Sequence, residues 1–368
     1  MRVLVCPDKF KGTLSAAAAA RAIARGVRRR FPDAEVIELP LADGGEGSLD
    51  VLATTGLFQI RRLEVTGPLR RPVSASYLVD GDHAFLETSL ACGLRHVPPP
   101  RRDPGATTTI GVGELIEDAV ARGARRITLF LGGSATNDGG AGMAGALGFR
   151  FFSDRPQDFI PTGSSLRYVR RIDTKEVLPA LAGVDFTAAW DVDVPLCGPQ
   201  GAAFGFAAQK GAQPEDLPLL DAGLRHLADR WARDLYIRTD DLPGAGAAGG
   251  LGAGCAAFLG AELRSAGNLL LDLLDFDRLA AAADVIITGE GKLDEQTARG
   301  KVVAGVLRRT SAPVLAVCGA RELSAAACRE IGLEAVASLT ECYDERQAFL
   351  RAEECLSALI AHLPFPRF

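Results

Sequence analysis

At four places in this chain a predicted strand ends in a loop of glycine mixed with charged or amide residues. The loops are DKFKGT (8–13), ADGGEG (42–47), GGSATNDGG (132–140) and GEGKLDEQ (289–296). In open α/β sheets, ligands bind outside the carboxyl ends of the strands. Glycine at such a point lets backbone N–H groups approach an anion, and the following helix N-terminus adds a favourable field. Each loop also carries carboxylates: Asp8; Asp43 and Glu46; Asp138; Glu290 and Asp294. Gly and Asp are ordinary turn residues, so any one loop taken alone reads better as a turn. The same composition at four equivalent positions reads as a ligand site. Glycine loops with carboxylates suit phosphates bridged by Mg²⁺, which binds through one or two carboxylates plus substrate oxygens.

The runs before and between these loops set the fold class. VLVCP (3–7), EVIELPL (35–41), DVIIT (284–288), PVLAV (313–317) and EAVASL (334–339) read as strands. A helical period follows the first, with Ala19 or Ala20, Ile23, Val27 and Phe31 at spacings of about four. Ser48 stands as an N-cap for the next helix. Apolar strands alternating with amphipathic helices predict a parallel, doubly wound α/β domain of the flavodoxin or Rossmann kind, covered on both faces. Residues 110–148 repeat the unit, with a helix from Ile110 to Arg122, a strand ITLFL (127–131) and a helix after Gly140. Residues 60–100 and 149–215 carry short strand-like runs and many prolines. They predict a second, inserted mixed α/β domain. The expected division is 1–60 plus 280–368, with 105–148, for the parallel domain and 61–279 for the insertion. The active site is expected in the cleft between the two, which closes on substrate and excludes water. No internal repeat is legible, and 244–261 is the one segment of low complexity.

Composition removes several classes of function. A net charge of −5 over 368 residues gives no electrostatic basis for binding nucleic acid or anionic lipid. The basic run Arg21, Arg25, Arg28, Arg29 and Arg30 reads as the polar face and C-terminal end of a helix, where cations meet the negative end of the dipole. The eight cysteines are scattered without a C-x-x-C pair, so neither a zinc site nor a disulfide framework is expected. No apolar stretch approaches the roughly 20 residues that span a bilayer. The opening RVLVC shows no leader pattern, and a cytoplasmic protein is expected. A homodimer remains open.

Familiar motifs are mostly absent or misplaced. Gly291-Lys292 and Gly300-Lys301 lack the rest of a Walker A loop, and protein-kinase signatures are missing. PGAGAAGGLGAG (243–254) contains a literal G-x-G-x-x-G, but RTDDLP precedes it where a dinucleotide fingerprint needs a strand. A flexible or phosphate-touching loop entering a small-residue helix is the better account. FTAAWDVDVP (186–195) ends an apolar strand in D-x-D, the pattern of a phosphatase in which one of Asp191 and Asp193 is the nucleophile and its neighbour the acid/base. Such a motif would open its domain, whereas 185 residues come first here. His83, His96, His226 and His362 lie far apart and form no metal or triad spacing.

Read together, the loops resemble the bacterial glycerate kinase family of glyoxylate and galactarate breakdown. The matching stretches are PDKFKGTLSA (7–16), PLADGGEGSLD (40–50), LGGSATNDGGAGMAGALG (131–148), DVDVPLCGPQGAAFGFAAQKGA (191–212), PGAGAAGGLG (243–252) and DVIITGEGKLDEQTARGKV (284–302). They span nearly the whole chain in order. The family pattern commonly has Ser where Lys9 stands and Asn in place of Val194; neither change removes a carboxylate. The resemblance implies a two-domain ATP-dependent kinase of D-glycerate, with 2-phosphoglycerate as product. The alternative kept beside it is a phosphatase using Asp191 and Asp193 on a small phosphorylated acid.

Phosphoryl transfer asks the protein for positioning, a metal and cations facing the developing charge. By residue chemistry, the expected catalytic group is Asp191, orienting the reacting hydroxyl, with Lys11, Asp43 and Asn137. The expected substrate and phosphate contacts are Asp8, Gly44, Gly45, Glu46, Gly132, Gly133, Ser134, Lys210, Gly289, Lys292 and Lys301. Asp138, Asp193, Glu290 and Asp294 are the expected Mg²⁺ ligands. A surface charge is the competing role for each lysine.

Overall fold

A computed structural model describes residues 1–154, 159–239, 241–298 and 302–366. The strands in chain order are β1 (Arg2–Pro7), β2 (Glu35–Glu38), β3 (Gln59–Thr66), β4 (Pro72–Asp80), β5 (His83–Glu87), β6 (Arg126–Leu131) and β7 (Arg150–Phe152). They continue with β8 (Arg171–Asp173), β9 (Asp185–Trp190), β10 (Glu262–Ser265), β11 (Val285–Leu293), β12 (Val314–Arg321) and β13 (Ala335–Ser338). Two compact units result: residues 1–43, 50–56 and 267–368, and residues 44–49 and 57–266.

The first unit is built on a five-stranded sheet in the order β13-β12-β11-β1-β2, with every pairing parallel. Continuous apolar strands require cover on both faces. Val3 and Val5 of β1 pack with Val285, Ile287, Leu315 and Val317 against the helices Ala16–Arg30 and Ala352–Leu359. Leu4, Cys6, Ile286 and Ala316 point the other way and are equally inaccessible to solvent. The helix Ala16–Arg30 starts where Ser15 accepts from the Ala18 N–H, a cap that stabilises a helix by about 1 kcal/mol. Its last turn holds Arg28, Arg29 and Arg30, and the Arg30 guanidinium donates to the carbonyls of Ile360 and Leu363. Arg25, Arg28 and Arg29 engage Glu353, Glu38 and Ser357, so most of the basic run is spent inside its own unit.

The second unit carries a six-stranded sheet in the order β10-β9-β6-β5-β4-β3. β3, β4 and β5 meander antiparallel, and β5, β6, β9 and β10 run parallel. A ribbon of β7 and β8 stands apart. Residues 105–148, expected with the first sheet, lie in this unit, because β6 pairs with β5 and β9. The βα rhythm of that segment is real, but rhythm does not say which sheet a strand joins. The helix Ile110–Ala121 and the helix Ala141–Ala146 follow the expected pattern. Ser48 begins the helix Ser48–Ala53, but its hydroxyl donates to the Gly45 carbonyl. Among the described residues no helix is long and apolar enough to cross a membrane.

Candidate active site

In the first unit the strand ends gather carboxylates. β1 delivers Asp8, whose N–H donates to the Gly289 carbonyl on β11 at 2.8 Å. Asp43 follows the chain out of β2, and Glu290 lies on β11 itself. Asp8 is 5% exposed and its carboxyl is pushed up to about 7. Burial is the main cause; the charges of Asp43 and Glu290 add to it, while Lys9 opposes it through charge and its N–H. The Lys9 ammonium also lies 3.3 Å from Asp43. Glu290 is buried and accepts from the Thr297 hydroxyl at 2.6 Å. A buried carboxyl raised by two neighbouring carboxylates favours a cation beside it. No three His, Cys, Asp or Glu side chains among the described residues converge into a complete metal cage. Oxygen donors short of a cage fit Mg²⁺, which takes its remaining ligands from water and substrate phosphates.

The expected loop 289–296 is half strand. β11 runs on to Leu293, pairing Gly289 with Val317, Glu290 with Cys318 and Lys292 with Ala320. A Cβ on Gly289 would stand 2.2 Å from the Val317 carbonyl, so this glycine serves the sheet. Lys292 is half exposed and pairs with Glu322 at 2.6 Å, the surface-charge role. Lys11 is exposed beside Gly291, Asp294 is half-buried, and Lys301 lies outside the described residues.

The second unit brings the other two loops together. A Cβ on Gly132 would meet the Gly45 Cα at 2.5 Å and the Asp191 carboxylate at 3.3 Å. The loops 44–47 and 132–134 therefore touch backbone to backbone, with Asp191 beside them at the end of β9. Gly44 has φ +97° and would drive a Cβ into Ala266, so only glycine suits that place. Lys210 is 4% exposed and donates to the Ser134 hydroxyl at 2.9 Å and the Thr136 carbonyl at 2.8 Å. Burial lowers its ammonium to about 8, offset by Cys92, Asp138 and Asp191. It ties down the loop from inside, where the sequence suggested a phosphate or substrate contact or else a surface charge.

Two expected site residues have structural duties here, and a third is enclosed. Asp138 has no exposed surface and accepts from the N–H groups of Thr109, Gly140 and Gly142 and from the Thr109 hydroxyl. Burial raises its carboxyl and these four hydrogen bonds oppose the rise. It caps a turn and offers no face to a metal. Asp193 accepts from the Gly244 N–H at 2.9 Å, linking β9 to the glycine-rich segment. Asn137 is wholly enclosed, with neither amide atom hydrogen-bonded within the described structure.

The G-x-G-x-x-G segment has a packing role. A Cβ on Gly244 would strike the Trp190 ring at 2.3 Å, on Gly246 the Pro195 carbonyl at 2.2 Å, and on Gly249 the Thr136 carbonyl at 2.0 Å. Ala248, Gly249 and Gly250 are consecutive left-handed residues interrupting Ala247–Leu259. The segment is thereby laid against the loop 132–140, and the Gly139 N–H donates to the Gly249 carbonyl.

Sequence reasoning passed over Glu87, at the end of β5. Its carboxylate accepts from the N–H groups of Gly47 and Leu49, at 3.1 and 3.3 Å, and from the Ser89 hydroxyl at 2.5 Å. The available signal was a carboxylate closing the apolar run HAFLE, a strand end like the others but with no glycine after it. Thr109 and Thr297 were also missed; a lone threonine gives no sign of the carboxylate it will hold.

The family model of the glycerate kinase family matches residues 3–363. Glycerate kinase of Bacillus cereus is 44% identical over 345 residues, covering 92% of this chain and 91% of its own. Glycerate 2-kinase of Escherichia coli K12 is 40% identical over 344 residues, covering 92% and 90%. A crystal structure from Salmonella typhimurium LT2, provisionally named glycerate kinase 2, superposes with a TM-score of 0.83 at 41% identity, over 98% of this chain and 96% of that one. Agreement of this length leaves no support for the aspartyl phosphatase reading, and Asp193 is engaged with Gly244 besides. Every strand end that carries a candidate carboxylate falls within the matched span, and the chain belongs to the glycerate kinase family.

Proposed function

We propose that the protein transfers the γ-phosphoryl group of ATP to the 2-hydroxyl of D-glycerate, yielding 2-phosphoglycerate, ADP and a proton. The observation that carries this reading is the match to glycerate kinases over residues 3–363, which includes all the glycine and carboxylate loops. Little covalent work falls to the protein in such a reaction; it must position the reactants and balance charge.

Asp191 is our candidate for the group that receives the hydroxyl proton. It is partly exposed at a strand end, beside the touching loops 44–47 and 132–134. The Lys210 ammonium lies close enough to feel its charge. Ser134 and the N–H groups of Gly132 and Gly133 are candidates to meet an anionic group of the substrate, as glycine loops do. In the first unit, one or two of Asp8, Asp43 and Glu290 are candidates to meet Mg²⁺, with substrate oxygens completing its shell and Asp294 contributing through water. Bound there, Mg²⁺ would neutralise phosphate charge as the bond to the leaving oxygen breaks. Lys9 and Lys11 are the cations nearest Asp8 in sequence.

A coupled assay for ADP release over a panel of short hydroxy acids tests the reading. Release is expected from MgATP with glycerate and not without an acceptor, and NMR of the product should place phosphorus on the C2 oxygen. Phosphate freed from 2-phosphoglycerate without nucleotide, with no ADP formed from MgATP and glycerate, would overturn it. A 3-phosphoglycerate product would overturn only the choice of hydroxyl.

A further inference from the structure

The segment Glu87 to Arg95 braces both glycine loops of the second unit. Toward the first loop, Glu87 accepts from Gly47 and Leu49, and Arg95 lies 3.7 Å from the Glu46 carboxylate. Toward the second loop, the Leu94 N–H donates to the Gly133 carbonyl and the Ala135 N–H to the Cys92 carbonyl. The Thr88 hydroxyl holds the Phe130 carbonyl at the end of β6. Glycine loops have no side chains to fix themselves, so their geometry comes from what holds their backbones. Of the groups in this brace, Glu87 alone spans from a rigid strand end to two N–H groups of loop 44–49 through one side chain. It is 2% exposed, so its carboxylate is withheld from substrate and committed to those donors.

We propose that Glu87 is a positioning residue for the phosphoryl transfer, setting the place of Gly44–Leu49 against Gly132 and hence against Asp191. The proposal rests on the kinase reading of the same site. A carboxylate suits the task better than a neutral group, because hydrogen bonds to an ionised acceptor are roughly twice as strong as neutral ones. A displacement of about 1 Å in a positioning element can cost on the order of a hundredfold in rate.

The test uses the full chain with Glu87→Ala and Glu87→Gln, reading kcat, KM for ATP, KM for glycerate and the thermal unfolding curve. Glu87→Ala is expected to lower kcat/KM by at least about tenfold and to raise KM for one of the two substrates only. Glu87→Gln, whose carbonyl oxygen can still accept from Gly47 and Leu49, should recover activity to within about threefold of wild type. Glu87→Asp keeps the charge but withdraws it by about 1.5 Å, and supplies the same comparison should the alanine variant not fold. A loss of kcat matching the loss of folded protein, with both KM values unchanged, would overturn the proposal. Equal impairment of the Gln and Ala variants would also overturn it. Wild-type protein without glycerate-dependent ADP release would fail the kinase reading instead, whatever the variants do.

Discussion

Lys210 allows stability and catalysis to be separated at one position. Its ammonium is enclosed in the second unit and lowered from 10.5 to about 8 by burial. Between those two values the unfolded chain holds a proton that the folded chain has released. Stability therefore rises with pH through that window, and below about 8 the fold carries the full cost of an enclosed charge. At about 1.4 kcal/mol per pH step, the rise between pH 7 and pH 10 comes to roughly 2–3 kcal/mol. Lys210→Met keeps an unbranched apolar stem and removes the charge, together with the hydrogen bonds to Ser134 and Thr136. Urea denaturation of both proteins from pH 7 to pH 10 isolates the effect, because titrations that do not depend on Lys210 cancel in the difference. The variant minus wild-type stability should be more favourable at pH 7 than at pH 10 by about 2 kcal/mol. Turnover of the folded variant should nonetheless fall about tenfold or more, since loop 132–137 loses the group that fixes it. Parallel stability curves across this range would refute the reasoning, because the lysine would then titrate as it does in the unfolded chain.

Three further outcomes are expected. Asp191→Asn keeps the shape of the side chain but not its basicity, and should lower kcat by roughly 10²- to 10⁴-fold with KM for ATP unchanged; steady-state kinetics decide it, and near-normal turnover would remove Asp191 from the mechanism. Gly249→Ala places a Cβ 2.0 Å from the Thr136 carbonyl at φ +74°, and should destabilise the second unit by about 3 kcal/mol in a denaturant titration. Lys292→Ala removes a surface ion pair with Glu322 and should leave kcat and both KM values within about twofold of wild type.

How much was legible in the sequence follows from the range of the forces involved. Strand identity depends on neighbours a few residues away, so VLVCP, ITLFL and PVLAV were readable, and β1, β6 and β12 lie upon them. Membership of a sheet depends on partners far along the chain. β6 joins β5 and β9 because β5 reaches it through the meander from β3, and nothing local to 105–148 reports that. The extent of β11 was misjudged for the same reason: GEGKL has loop composition but finds a full-length partner in β12. The carboxylates at the strand ends could be collected from the sequence, but not their duties. A pairing such as Asp138 with Thr109 spans 29 residues and leaves no mark at either position.

Glycine carries the deeper ambiguity. The same residue permits a backbone to approach a phosphate and permits two backbones to approach each other, and sequence alone does not distinguish the two. At Gly132 and Gly45 two backbones do approach each other, and Asp191 stands alongside. At Gly244, Gly246 and Gly249 the neighbours are protein: an indole ring and two carbonyls. Those contacts assign the literal dinucleotide motif to packing, because a Cβ already excluded by protein atoms leaves no room for a pyrophosphate on the same side. The glycine-rich segment then matters to the chemistry only at second hand. It lies under the loop 132–140, whose other supports are Lys210 below Ser134 and Thr136 and the segment 87–95 beside Gly133. A loop held from three sides by buried groups is set before substrate arrives, which is what a reaction governed by positioning requires.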